Sequence, residues 1–208
     1  MAPKTEDSRV RRTKRLLRQG LTELLQEKSI KKITVRELSE RVDINRGTFY
    51  LHYKDIYDLV DCLEKELFDE FEHILSKYTI TDLHTRPPQV FSEVCSFLYA
   101  NRDLCAALLG DNGDINFVLN LRTFLRKKCM KDAADCYQIA YSPEYEYVYA
   151  YFESGMVGMI RYWHANPQDG NTPEEIASLN ELLFSNGISC YSNVLHTQST
   201  SESEAQHT

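Results

Sequence analysis

No stretch of this 208-residue chain approaches the ~18 consecutive apolar residues of a membrane-spanning helix, so no span is expected. The N-terminus, Met1-Ala2-Pro3-Lys4-Thr5-Glu6-Asp7, turns basic without an apolar core, which excludes a secretory signal and leads us to expect a soluble, cytoplasmic protein. Six cysteines are present (Cys62, Cys95, Cys105, Cys129, Cys136 and Cys190), and none forms a C-x-x-C pair. The usual zinc and thioredoxin-like readings fall away, and reduced thiols are expected. There is no G-x-S-x-G, H-E-x-x-H, phosphate-binding loop or dinucleotide fingerprint. Cys129 and Cys136 lie seven apart on one helix, and the six histidines are scattered; neither set makes a nucleophile–base pair or a metal cluster. The sequence therefore argues against an enzyme, and no cofactor or metal is expected. Period-two alternation, internal repeats and low-complexity blocks are also missing, which leaves an all-α fold.

Charge is present and uneven. The chain is −7 overall, but residues 1–60 carry 14 Lys/Arg against 9 Asp/Glu, a net of +5, while residues 61–208 carry 10 against 22, a net of −12. A basic head on an acidic body is the pattern expected when only the head meets a polyanion.

Helical periodicity runs almost throughout. From Val10, apolar residues recur at Leu17, Leu21, Leu24 and Leu25, with Arg11, Arg12, Arg15 and Arg18 on the other side and Asp7 or Ser8 as N-cap. Thr34-Val35-Arg36-Glu37 reads as a capping box opening a short helix to about Val42. Asn45 caps a second short helix, and Asp55 a long one to about Tyr78, about 34 Å for ~23 residues. Residues 79–86 read as a polar link before a helix from Pro87 to Ala100. A short helix around Leu104–Leu109, one from about Asn116 to Tyr137 and one from Ser142-Pro143 follow. After a turn at 166–171, Thr172-Pro173-Glu174-Glu175 starts the last helix, and from Thr197 a disordered tail is expected.

Two short helices separated only by Asp43-Ile44 suit a helix-turn-helix, whose second helix offers its first residues to base edges in the major groove. Here that helix reads Asn45-Arg46-Gly47-Thr48-Phe49-Tyr50-Leu51-His52-Tyr53-Lys54, with Phe49 and Tyr53 spaced to face inward and polar donors outward. Gly47 removes a side chain where backbone would approach DNA.

With these residues in view, positions 8–60 resemble the N-terminal domain of the TetR family of bacterial transcriptional regulators, nearly residue by residue from Ile33 to Leu59. The resemblance implies a three-helix DNA-binding domain (8–60, with a connecting helix 55–78) and a C-terminal helical regulatory and dimerisation bundle (79–196), followed by the tail 197–208. It implies a homodimer on a palindromic double-stranded operator, acting as a repressor. By position, Thr34 caps the first helix near a phosphate and Arg36 reaches a base edge or phosphate. Asn45, Arg46 and Thr48 make base-edge or backbone contacts, Gly47 lies near a base methyl or phosphate, and Tyr50, His52 and Lys54 hold phosphates. Two positions depart from the family pattern: Asp43 stands where the turn usually has Gly, and Ile56 where a second lysine is common. Lys54 and the amides opening the long helix would then carry the phosphate contact there.

The segment Tyr151–Trp163 with the Pro-capped helix after it resembles the C-terminal region of Firmicutes-type members. The family pairs its last two helices into a four-helix bundle, which implies an interface through Gly155, Gly158, Met159, Trp163, Leu179 and Leu183. By spacing alone the same stripe is equally a monomer core. Tyr78, Tyr99, Tyr137, Tyr141, Tyr145 and Tyr149 could line an effector pocket or be core tyrosines, and no effector-binding residue is singled out. The acidic body favours a hydrophobic, neutral or cationic small molecule. A helical adaptor or coregulator controlled by a partner protein is the alternative.

Overall fold

The computed structural model of the chain describes residues 8–79, 87–110, 112–113, 115–137, 139 and 142–205. The expected cap Asp7, most of the polar link 79–86, Tyr141 and the end of the tail fall outside them. Among the described residues every regular element is helical, and no helix is long and apolar enough to cross a membrane. The elements are α1 (Ser8–Glu27), α2 (Val35–Arg41), α3 (Arg46–Tyr50), α4 (Ile56–Ser76), α5 (Pro87–Ala100), α6 (Arg102–Leu109), α7 (Ile115–Leu125), α8 (Lys131–Cys136), α9 (Pro143–Ala165) and α10 (Pro173–Ala205). A π-helical turn, Arg126–Met130, joins α7 to α8, so the helix expected from 116 to 137 is interrupted.

The chain divides into two compact units. The first takes the residues up to Asp69 together with Asn101–Leu119, and the second takes Glu70–Ala100 and the residues from Asn120 onward. This differs from the boundaries expected at residues 60 and 79. The division falls inside α4, and α6 groups with the head because its apolar face, Leu104, Cys105 and Leu108, is buried there. Two polar contacts add to it: Arg18 donates to the side chain of Asn101, and Asn112 donates to the carbonyl of Gln26.

In the first unit the leucines of α1 (Leu17, Leu21, Leu24, Leu25), Leu38 of α2, Phe49 of α3 and Leu59 and Val60 of α4 are all buried. Gly20 allows α1 to approach α2 closely. A Cβ built there would lie 2.3 Å from Val42 Cγ1 and 3.0 Å from Leu38 Cδ1. Gly20→Ala is therefore expected to lower the stability of the head by about 1–3 kcal/mol through overpacking, although alanine is the better helix former. A urea melt followed by circular dichroism should show the shifted midpoint.

In the second unit one cluster gathers Met130, Ala134, Ile139, Tyr145, Tyr149 and Ile188, and another gathers Cys95, Trp163, Ile176 and Ala177. Buried tyrosines of α9 satisfy carbonyls on both sides of the π turn: Tyr149 donates to Leu125 O and Tyr145 to Met130 O, each at 2.8 Å. The hydroxyls of Tyr78 and Tyr137 are also engaged, by Glu93 and Ser185, and Tyr99 stacks on Trp163. Tyr145 and Tyr149 are therefore core tyrosines, Tyr78 and Tyr137 are half-buried, and Tyr99 is exposed. Helix α10 opens on a complete capping box, Thr172 N to Glu175 Oε2 at 2.8 Å and Glu175 N to Thr172 Oγ1 at 3.2 Å. It continues helical to Ala205, past Thr197 where the sequence suggested order would end. Extending a formed helix by one residue is far easier than nucleating one, so a polar tail can follow the turns before it.

Candidate nucleic-acid interface

The site is built by local capping. Thr34 Oγ1 accepts from Glu37 N at 3.2 Å and opens α2. The Glu37 carboxylate does not reach back, as a full capping box would require; it pairs with Lys28. At the other end of α2, Asp43 takes a left-handed backbone at φ 52. The amide of Asp43 then meets Glu40 O and the amide of Ile44 meets Ser39 O at 3.0 Å, the pair of bonds of a Schellman motif. The left-handed residue thus closes α2 with Asp in place of Gly, at a cost of about 1–2 kcal/mol for the Cβ.

Asn45 opens α3 by accepting from Gly47 N at 2.7 Å through Oδ1, which leaves the side-chain NH2 as its outward donor. Gly47 has a local role as well, since a Cβ there would sit 3.2 Å from Asn45 Oδ1 and crowd the cap. Phe49 is fully buried and Tyr53 nearly so, their rings 5.8 Å apart, which fixes the inward face of the recognition segment. The opposite face is left to solvent. Thr34, Arg36, Asn45, Arg46, Gly47, Tyr50 and Lys54 are exposed, and Thr48 and His52 are half-buried. All nine candidate residues therefore lie within or at the ends of one α2–turn–α3 unit.

Charge pairing sorts the arginines. Arg41 grips Glu27 with two bonds, at 2.8 and 3.0 Å, and holds α2 to α1. That pairing lowers the Glu27 pKa from its ordinary value and raises that of Arg41. Arg36 binds Glu40 at 2.8 Å, and Arg46 approaches the same Glu40 oxygen at 4.0 Å. Both are exposed and can exchange that partner for a phosphate or a base edge. On α1, Arg11, Arg12 and Arg15 are exposed and make no ion pair among the described residues. The amide of Lys54 already donates to Asp58 Oδ2 at 2.8 Å, and that of Asp58 to Asp55 Oδ1 at 2.9 Å. The carboxylates of Asp55 and Asp58 at the start of α4 thus take up the amides of Asp58 and Lys54.

The sequence did not single out Leu51, Tyr57 or Glu40. Leu51 is 79% exposed at the end of the recognition segment, where an apolar group can meet a thymine methyl. Tyr57, in the first turn of α4, is half-exposed. The signal for Glu40 was available, as an i,i+4 partner of Arg36. Among the described residues no cluster of three or more His, Cys, Asp or Glu could hold a metal. Burial pushes the Cys95 and Cys105 thiols up to about 12, which suits packing and not reactivity.

In the second unit, α9 leaves Tyr147, Tyr151 and Tyr162 outward, with Gly155 and Gly158 along the same helix. A Cβ built on either glycine meets no atom within 4 Å. On α10, Leu179, Leu182, Leu183 and Val194 are exposed. Trp163 and Met159 behave differently from the interface expectation. Trp163 is only 6% exposed, packs in the Cys95–Ile176–Ala177 cluster and donates to Asn171 O at 3.0 Å, while Met159 packs against that same cluster. They fill the core of one chain, because the neighbour that covers them, α5 and the start of α10, cannot be read from helical spacing.

These features define a helix-turn-helix DNA-binding unit on an all-helical protein. The comparisons agree. Residues 18–63 match the family described as "Bacterial regulatory proteins, tetR family", and residues 85–186 match "Transcriptional regulator C-terminal region". The uncharacterised HTH-type transcriptional regulator YxbF of Bacillus subtilis (strain 168) is 28% identical over 102 residues. That match takes in 45% of this chain but only 25% of the relative, so the chain spans a small part of that protein's length. Among solved structures, a TetR transcriptional regulator from Streptococcus agalactiae 2603V aligns with a TM-score of 0.57 at 22% identity, covering 85% of this chain and 96% of that one. The dihydroxyacetone kinase operon activator DhaS aligns with a TM-score of 0.55 at 17% identity, over the same shares. The two structural likenesses speak to the fold. The chain belongs to the TetR family.

Proposed function

We propose that the chain acts as a homodimeric repressor on a palindromic operator, with α3 of each copy in successive major grooves. The observation that carries this reading is the capped helix α3, whose exposed face presents Arg46 at its first position and Tyr50 and Lys54 beyond it. In this reading Arg46 takes a guanine edge, Asn45 and Thr48 supply base or backbone contacts, Arg36 takes a base edge or phosphate, Tyr50, His52 and Lys54 hold phosphates, Thr34 sits near one, and Gly47 lets the backbone approach. The dimer forms through the outward faces of α9 and α10, around Gly155, Gly158, Leu179 and Leu183. Contiguous exposed apolar faces on paired helices favour such an interface.

Enrichment of bound duplexes from fragments of the source genome tests the reading. On an enriched duplex, Arg46→Ala is expected to weaken binding by about 1–3 kcal/mol and to relax preference at one base pair. Lys54→Ala should weaken all duplexes alike and reduce the salt slope by about 1. No enrichment at low salt would end the proposal.

Control by an effector follows the same plan. We infer a hydrophobic, neutral or cationic small molecule bound among the helices of the second unit, because that part of the chain is strongly acidic. Helix α4 continues from the first unit into the second and gives binding a covalent route to the head. A compound that raises the thermal midpoint and lowers operator affinity supports this. If none of a broad panel does so, control passes to a partner protein.

A further inference from the structure

The two arginines that face outward from the helix-turn-helix share one carboxylate. Glu40 Oε1 accepts from Arg36 Nε at 2.8 Å and lies 4.0 Å from Arg46 Nη2. Glu40 sits in the last turn of α2 and Arg46 at the first position of α3, so this acid bridges the turn between the two helices. All three side chains are more than half exposed. An exposed pair of this kind contributes little to stability and exchanges readily. The carboxylate is therefore poorly explained as a brace for the fold. The bonds between Arg41 and Glu27 and between Lys28 and Glu37 already join α1 and α2.

We propose that Glu40 is a specificity-determining residue that restrains Arg36 and Arg46 until DNA offers the right base edges. This rests on the DNA-binding reading above. Sequence-independent binding is driven by cations on phosphates. A duplex that offers only phosphates must pull Arg36 off Glu40 and draw Arg46 away from it, and then sit beside an uncompensated carboxylate. A duplex with the right bases meets a different surface. A guanidinium held on one side by a carboxylate presents its remaining N–H groups in a fixed orientation, suited to two parallel bonds on guanine O6 and N7. The carboxylate can also accept from a cytosine amino group. Glu40 thus penalises the nonspecific mode more than the specific one.

The test uses the full chain and two duplexes, one enriched from a random pool by the wild type and one of scrambled sequence and equal composition. Affinities come from fluorescence anisotropy at several salt concentrations. Glu40→Gln is expected to tighten the scrambled duplex about tenfold while changing the enriched one less than threefold. On the scrambled duplex the slope of log K against log salt should steepen by about 1–2 as the freed arginines reach phosphates. Glu23→Gln makes the same charge change on α1 and should leave the ratio of the two affinities unchanged. Equal effects of Glu40→Gln on both duplexes, or the same loss of discrimination from Glu23→Gln, would overturn the role of Glu40 and leave DNA binding intact. A wild type that enriches no duplex would overturn both.

Discussion

Gly158→Leu is expected to leave the helical content of the chain intact and to convert dimers into monomers. No atom lies within 4 Å of the Cβ position at Gly158, so a leucine is accommodated in the single chain and improves the helix propensity of α9. Across a two-fold interface the same side chain intrudes twice. Overpacking of about 1–3 kcal/mol at each of two related sites weakens association by about 30-fold or more. Sedimentation at micromolar concentration should find the variant monomeric, with operator affinity falling in step because one recognition helix makes half the contacts. An unchanged dimer would place the interface away from Gly158.

Phe49→Ala is the second large effect. Phe49 has no exposed surface, and its ring packs at 5.5 Å from Tyr50 and 5.8 Å from Tyr53. Truncation removes the one side chain of α3 that is buried in the head, at a cost of about 3–5 kcal/mol. The head should melt at lower temperature, and DNA binding should be lost even at low salt, since α3 has only five residues and little helix stability of its own. A variant that melts like the wild type would contradict the placement of Phe49.

What could be read from the sequence was local. Thr34 and Asn45 cap the helices they were expected to cap, and Asp43 takes the left-handed turn that its short polar side chain tolerates. Each of these depends on residues at most five apart. What periodicity left open has a different cause. Trp163 and Met159 lie on the apolar stripe that periodicity identified, but whether α5 of the same chain or a second copy covers that stripe is a tertiary fact. The π turn at Arg126–Met130 shifts the helical phase over five residues, too few to disturb a 3.6-residue pattern. Helix α6 groups with the head through contacts between residues some eighty positions apart, Arg18 with Asn101 and Gln26 with Asn112. Glu40 was legible as the partner of Arg36, but its approach to Arg46 exists only once the turn is formed.

We propose that this chain reads DNA sequence as a pair of recognition helices. Footprinting of an enriched genomic duplex with the full-length wild type tests it most directly. Two protected half-sites are expected, related by a two-fold axis and about one helical turn apart or slightly more, and both should lose protection together in Arg46→Ala. Protection of a single asymmetric site, or uniform protection without sequence preference across salt concentrations, would contradict it.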